Sequence, residues 1–280
     1  MFIEKRNVRV DVLIPSSFSH ESHHPIEKIV RLGSVARYLA TFRVDTLIIY
    51  HEEINNPYEE NAKHIKLVMD YLNTAPYLRR RIYPLTPKLR YVGVLPPLNI
   101  PTHPEKEDLN VEHYREGLVI SSNKKSTIYA GLKKMLKIDK KLKEGSRIIV
   151  RIKPSQDKIR FKVYSKRKSK VYSGFRTAIV SQRLDEIIRG YDVKIATSRL
   201  GVDVRSIWNE LKDRIEKASR VCIVFGSAKR GLKEIAELHN IDYEKTFDYI
   251  VNTFPNQSVR TIRTEEAIAY TLAIFNLITP

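Results

Sequence analysis

FDYIVNTFPNQSVRTIRTEEAIAYTLAIFN, Phe247 to Asn276, reads as a short apolar strand, a polar loop and a helix. The strand covers Phe247 to Val251, and the loop from Asn252 to Arg263 mixes amides, hydroxyls and two arginines around Pro255. Thr264 is the expected N-cap, with Glu265 and Glu266 in the first turn, where the helix dipole favours negative charge. From Ala267 onward apolar residues recur so densely that the helix is expected to be largely buried. Such a loop, set between a strand and a helix, is either a ligand site of an α/β domain or an ordinary connection.

RVCIVFGSAKRGLKEIAEL, Arg220 to Leu238, repeats the order of strand, glycine-containing loop and helix. Gly226 and Gly231 bracket the turn. A phosphate loop would need Lys directly after the second Gly and then Ser or Thr. Leu232 holds the Lys position here, followed by Lys233 and Glu234, which excludes the nucleoside-triphosphatase reading. No GxGxxG follows a strand either, which argues against a Rossmann dinucleotide site.

Three pieces together carry a resemblance: KIATSRLG (Lys194 to Gly201), VFGSAKRGL (Val224 to Leu232) and NTFPNQSVRTIRTEEA (Asn252 to Ala267). They resemble the knot-forming loops of the SPOUT superfamily of RNA methyltransferases, and most of all its archaeal and eukaryotic branch with an OB-like insertion. The resemblance covers essentially the whole chain. It implies an α/β fold: a trefoil-knotted parallel-sheet domain over residues 1–90 and 178–280, with an inserted small β-barrel over 91–177. Composition and periodicity do not show a knot, and general topology rules argue against one.

The cofactor implied by the resemblance is S-adenosylmethionine. Its first loop would be Thr197, Ser198, Arg199 and Gly201, and its second Gly226, Ser227, Gly231 and Leu232. Asn252, Pro255, Asn256, Gln257 and Thr264 would form the third. Glycine permits close backbone approach, and the amides can read an adenine edge. GSVARYLATFRVDTLIIY (Gly33 to Tyr50) is similar to the first motif of the TrmH-like branch, which carries an active-site arginine over to Arg37. Arg31 or Leu32 stands near the place of the Asn that opens that motif, a departure that disfavours ribose 2′-O chemistry and leaves a base nitrogen. For a uridine N3 the site must favour the deprotonated imide, with Arg37, Arg263 or Glu265 (the last as a base) as candidates. The resemblance also implies a homodimer.

Of 280 residues, 50 are Lys or Arg and 32 Asp or Glu, a net charge of +18 that points to a polyanionic partner. The charge is localised: residues 101–175 hold 20 basic against 8 acidic side chains, an excess of +12. That region is also a series of short β runs, as a small barrel requires. Lys124, Lys125, Lys133, Lys134, Lys137, Lys166, Arg167 and Lys168 are the expected RNA contacts, with ribosomal RNA the expected substrate. Tyr114, Tyr129, Phe161, Tyr164, Tyr172 and Phe175 are interleaved with them, either stacking on bases or filling the barrel.

Strand-like Val8 to Ile14, a helix from about Ile26 to Phe42 and strand-like Val44 to Tyr50 indicate a parallel sheet. His20, His23 and His24 have no Cys or carboxylate at ligand spacing, so a solvated loop is expected there and no metal. Cys222 sits in an apolar strand and has no partner cysteine. No apolar run is long enough to cross a bilayer and the N-terminus lacks a signal-peptide core, so a cytoplasmic protein is expected. A rival reading is a non-catalytic RNA-binding or ribosome-assembly protein on the same scaffold.

Overall fold

Arg9–Pro15 (β1), Thr46–Tyr50 (β2) and Arg220–Val224 (β10) are buried almost end to end, on both faces. Strands of that kind belong to a parallel sheet covered by helices on each side. The computed structural model describes residues 3–55, 58–104, 109–154 and 159–279. In chain order its elements are β1, α1 (Pro25–Thr41), β2, α2 (Glu59–Leu72), α3 (Pro76–Ile82), β3 (His113–Ser122), β4 (Ser126–Tyr129), β5 (Leu136–Ile138), β6 (Arg147–Lys153) and β7 (Arg160–Ser165). Then follow β8 (Arg176–Val180), α4 (Leu184–Ile188), β9 (Val193–Asp203), α5 (Trp208–Glu216), β10, α6 (Leu232–Leu238), α7 (Tyr243–Thr246), β11 (Tyr249–Asn252) and α8 (Thr264–Ile278).

The chain divides into two compact units. One comprises Arg6–Asp70, Lys88–Pro96 and Phe175–Pro280; the other comprises Met1–Lys5, Tyr71–Pro87 and Pro97–Gly174. The first is built on a six-stranded parallel sheet in the order β11-β9-β10-β1-β2-β8. Leu13, Tyr50, Leu184, Tyr191, Val224, Leu232 and Phe247 pack in one core cluster of this unit. Cys222 is fully buried there, and burial pushes its thiol well up.

Strand β9 departs from a regular ladder. Ile195 and Ala196 pair with Tyr249 and Ile250, whereas the next two rungs are Val202 with Val251 and Asp203 with Asn252. One step on β11 therefore spans six on β9, and residues 197–201 leave the ladder between the rungs. Gly201 makes the return possible, because a Cβ there would lie 2.6 Å from the Ile250 carbonyl oxygen.

Helix α8 corrects two expectations. Thr264 is its first helical residue rather than its cap, because Glu266 reaches back to accept from the Arg263 backbone N–H at 2.9 Å. The helix buries Ile268, Leu272, Phe275 and Ile278 but exposes Tyr270 and Leu277, so one face rather than most of it is covered.

The second unit is a five-stranded antiparallel sheet in the order β5-β4-β3-β6-β7. Val119, Ile128, Leu136, Ile148, Val150 and Ile152 fill its inner face, with Phe161 and Val163 packed against them. Pro76 opens α3, where a missing N–H costs nothing, and Leu78 of that helix packs on Leu118. The Tyr77 ring lies over Gly131, whose φ of +68° no side chain would easily adopt.

Glu116 organises this unit's polar interior. It is fully buried and pairs with Arg147 at 2.6 Å, Lys166 at 2.5 Å and His103 at 3.4 Å, and accepts from the Ala75 amide at 3.0 Å. Burial alone would raise its carboxyl, but Lys166, His103 and Arg147 together hold it well below the usual range.

Candidate active site

Open α/β sheets bind ligands beyond the carboxyl ends of their strands, and three loops meet there in the parallel unit. Thr197 Oγ1 donates to the Val224 carbonyl at 2.9 Å, tying the first loop to the end of β10. Asn252 Nδ2 donates to the Arg199 carbonyl at 2.9 Å, and Arg199 donates to the Arg260 carbonyl at 2.8 Å, joining the first loop to the third. Thr264 Oγ1 lies 3.4 Å from the Gly226 carbonyl, which links the third to the second. The structure thus brings together Thr197, Arg199, Gly226, Asn252 and Thr264.

The remaining loop residues have more local roles. Ser198 accepts from the Leu200 amide at 3.2 Å. Ser227 accepts from Arg230 N at 3.0 Å, closing the second loop on itself. Gly231 precedes α6 with open space where a Cβ would stand. The Leu232 side chain is 2% exposed and lies in the core, so only its backbone can face a ligand. Pro255 is half-buried; Asn256 takes a left-handed φ of +62°, and Gln257 donates to the Val259 carbonyl at 2.9 Å. These two hold the third loop's turn.

Among the expected catalytic residues, Glu265 is 7% exposed and both its oxygens are taken by Arg31, at 2.8 Å to Nε and 2.9 Å to Nη2. Arg31 also donates to Glu21 at 2.6 Å and Ser22 at 3.0 Å, with its guanidinium 5.2 Å over the Phe18 ring. Desolvation would lower its pKa, but Glu265 and Glu21 keep it raised. One guanidinium therefore clamps the loop after β1 to the first turn of α8. Arg37 stands on the exposed face of α1, six residues from Arg31, and Arg263 is exposed with its backbone capped by Glu266.

Sequence reasoning missed a second carboxylate. Glu52, beyond the end of β2, is 2% exposed; it accepts from Ser227 Oγ at 3.2 Å and from Ser17 Oγ, and lies 3.8 Å from Arg230. Burial raises its pKa, against the opposing pull of Ser227 and Arg230. Such a perturbed group at a loop cluster is characteristic of functional sites. No local signal marks it, since HEE (His51 to Glu53) reads as a solvated turn. His24 accepts from the Ile26 amide at the start of α1, a capping role.

The expected RNA contacts divide by exposure. Lys124, Lys125, Lys133, Lys134, Lys137, Arg167 and Lys168 are exposed on the antiparallel unit, whereas Lys166 is engaged by buried Glu116. Tyr172 is 2% exposed and belongs to the interior, as does Phe175. Tyr129 lies under Arg81 at 4.3 Å, and Tyr164 under Lys162 at 5.5 Å.

Among the described residues no helix is long and apolar enough to cross a membrane. Residues 9–275 match the family described as "Putative RNA methyltransferase". A human 28S rRNA (uridine-N(3))-methyltransferase is 29% identical over 302 residues, covering 96% of this chain and 78% of the human protein. The corresponding mouse enzyme is 29% identical over 303 residues, covering 96% and 76%. An uncharacterized protein of Haloarcula marismortui is 29% identical over 283 residues, covering 95% and 98%.

Proposed function

Because the chain belongs to this family of RNA methyltransferases, we propose that it transfers the methyl group of S-adenosylmethionine to uridine N3 of ribosomal RNA. The observation that carries the reading is the mutual tethering of the loops after β9, β10 and β11. Their chemistry fits the donor. Hydroxyls and amides suit an adenine and an amino-acid head, the open space at Gly231 admits close approach, and buried Glu52 suits a neighbouring cation.

When bound, S-adenosylmethionine supplies an electrophilic methyl carbon on a sulfonium. The chain's task is to hold a uridine with its N3 proton removed and the resulting anion compensated. In this reading an exposed guanidinium, Arg37 or Arg263, stabilises that charge. Glu265, held at both oxygens, acts in this reading by orienting Arg31 and α8 rather than by taking the proton.

Three further features belong to the proposal. A trefoil knot is supported by the excursion of residues 197–201 and the tight passage at Gly201. An OB-like module is supported by the strand order of the antiparallel sheet, which is that of a five-stranded Greek-key barrel, and by its exposed lysines. A homodimer is supported by apolar side chains that packed helices α1 and α8 leave exposed, Ile26, Val30, Tyr270 and Leu277 among them.

The test is incubation of the full chain with labelled S-adenosylmethionine and large-subunit rRNA, followed by nucleoside mass spectrometry. N3-methyluridine at one site is the expected product. Donor binding without methylation of any RNA would instead move the reading to an assembly factor, and ribose methylation would overturn the choice of atom.

A further inference from the structure

The loop after β10 is fastened to β2, a strand that β10 does not adjoin. In the sheet β1 lies between them and pairs with each, so no ladder hydrogen bond joins β10 to β2. Side chains at the end of β2 reach across the end of β1 instead. The Tyr50 hydroxyl donates to the Phe225 carbonyl at 2.7 Å, Glu52 accepts from Ser227 Oγ at 3.2 Å, and Glu53 pairs with Arg230.

Glu52, in the middle of these contacts, is the most constrained. One carboxylate oxygen accepts from Ser17 Oγ, just beyond β1, and the other from Ser227 Oγ. Its backbone is held as well. His239 accepts from the Leu184 amide on Nδ1 at 3.0 Å, so Nε2 carries the ring proton, 3.0 Å from the His51 carbonyl and 3.1 Å from that of Glu52. At 2% exposure the side chain acts through what it holds.

What it holds is the centre of the second loop's turn. Ser227 Oγ accepts from the amides of Lys229 at 3.3 Å and Arg230 at 3.0 Å, which occupies both its lone pairs and leaves its proton for Glu52. Without that carboxylate the proton has another acceptor inside the turn, the Arg230 carbonyl at 3.4 Å. Losing the contact therefore leaves the turn folded but frees it from β2. We propose that Glu52 is a positioning residue for the methyl donor, holding Ser227 and with it the turn 226–231 where S-adenosylmethionine binds. The inference rests on the methyl-transfer reading and adds to it a residue that works through the donor's loop.

Two variants separate contact from charge. Glu52→Asp keeps the charge but is one methylene too short for Ser227; Glu52→Gln keeps the length and an acceptor but not the charge. The full chain is titrated with S-adenosylmethionine by calorimetry, and methyl transfer to large-subunit rRNA is followed at saturating donor. Glu52→Asp should raise the donor Kd about tenfold, the size of one hydrogen bond to a charged acceptor, whereas Glu52→Gln should stay within about threefold of the parent. The loss should fall on Kd, with kcat at saturating donor changed by less than about twofold and the urea midpoint unmoved. Ser227→Ala should weaken donor binding at least as much, and adding Glu52→Asp to it should cost nothing more, because both act through one contact. Should Glu52→Asp fail to fold, Ser227→Ala with and without Glu52→Gln makes the same comparison. Donor binding unchanged in Ser227→Ala, or weaker in Glu52→Gln than in Glu52→Asp, overturns the proposal. So does a fall in kcat with Kd intact, which would make Glu52 the proton acceptor. A parent chain that binds no donor sinks the methyl-transfer reading itself, and this inference with it.

Discussion

Each unit buries a carboxylate, and the two are neutralised in opposite ways. In the antiparallel unit two cationic side chains, Arg147 and Lys166, the His103 imidazole and one backbone amide converge on Glu116. In the parallel unit Glu265 is matched by a single guanidinium, and that guanidinium holds two further groups. The first arrangement has its anion at the centre and is a rivet: remove the anion and two cations face one another beside the His103 imidazole. The second has its cation at the centre and is a clasp between segments 234 residues apart. A rivet governs whether a unit folds; a clasp governs where a loop sits.

The largest effect is expected from breaking the rivet. Glu116→Gln removes the buried anion on which half-buried Arg147 and Lys166 converge and should cost the antiparallel unit about 3–5 kcal/mol. Urea unfolding followed by far-UV circular dichroism should show an early transition. Fluorescence of Trp208, which lies in the parallel unit, should move much less. Coincident shifts in both signals would mean that the two carboxylates support one cooperative structure.

Opening the clasp should cost less stability and more function. Glu265→Gln removes charge but little volume, and should destabilise by about 1.5–3 kcal/mol while weakening S-adenosylmethionine binding at least tenfold in calorimetry. A collapse of kcat with donor affinity intact would instead make Glu265 the base.

Acid separates the two regions further. The Glu116 carboxyl is held below its ordinary value of 4.5, so its contribution is complete above pH 4.5 and is lost as pH falls through the lowered value. His103, pushed below 6.5 chiefly by burial, favours the folded unit when neutral and begins to oppose it as pH drops below 6.5. Glu52 has the opposite sign. Its raised carboxyl supports folding below pH 4.5, and that support fades as pH climbs through the raised value. Lowering the pH from 7 to 4 should therefore bring the antiparallel unit's urea midpoint down more than that reported by Trp208. Equal shifts would contradict the assignment.

The mildest change concerns the exposed lysines. Replacing Lys124, Lys134 and Lys137 by Gln should leave stability unchanged and flatten the salt dependence of RNA binding by about 2 in log–log slope, at about 0.7 per phosphate contact. An unaltered slope would place the RNA on another face.

The parallel framework was legible because β1, α1 and β2 announce themselves by local periodicity, and the loops by their mixture of glycine and amide. The Arg31 clasp was not, because nothing near Arg31 or Glu265 says which arginine will meet which glutamate. Glu116 was hidden differently, inside a strand where nothing in the sequence shows that five consecutive residues, Arg115 to Val119, are buried. Lys166 looked like the rest of a basic run, and only the fold reveals that its charge is directed inward. The packing of Tyr71–Pro87 with the antiparallel sheet rests on contacts such as Leu78 on Leu118. A sequence interrupted by prolines gives no sign of them.

Strand β9 leaves its ladder and rejoins it against a partner made some fifty residues later. During synthesis, then, residues 197–201 emerge before the rungs that hold Val202 and Asp203 in register exist. A ribosome-bound chain lacking β11 and α8 would have most of its sheet and no anchored rim. The catalytic reading thus makes competence wait until β11 and α8 have emerged, which spares the cell a half-made transferase.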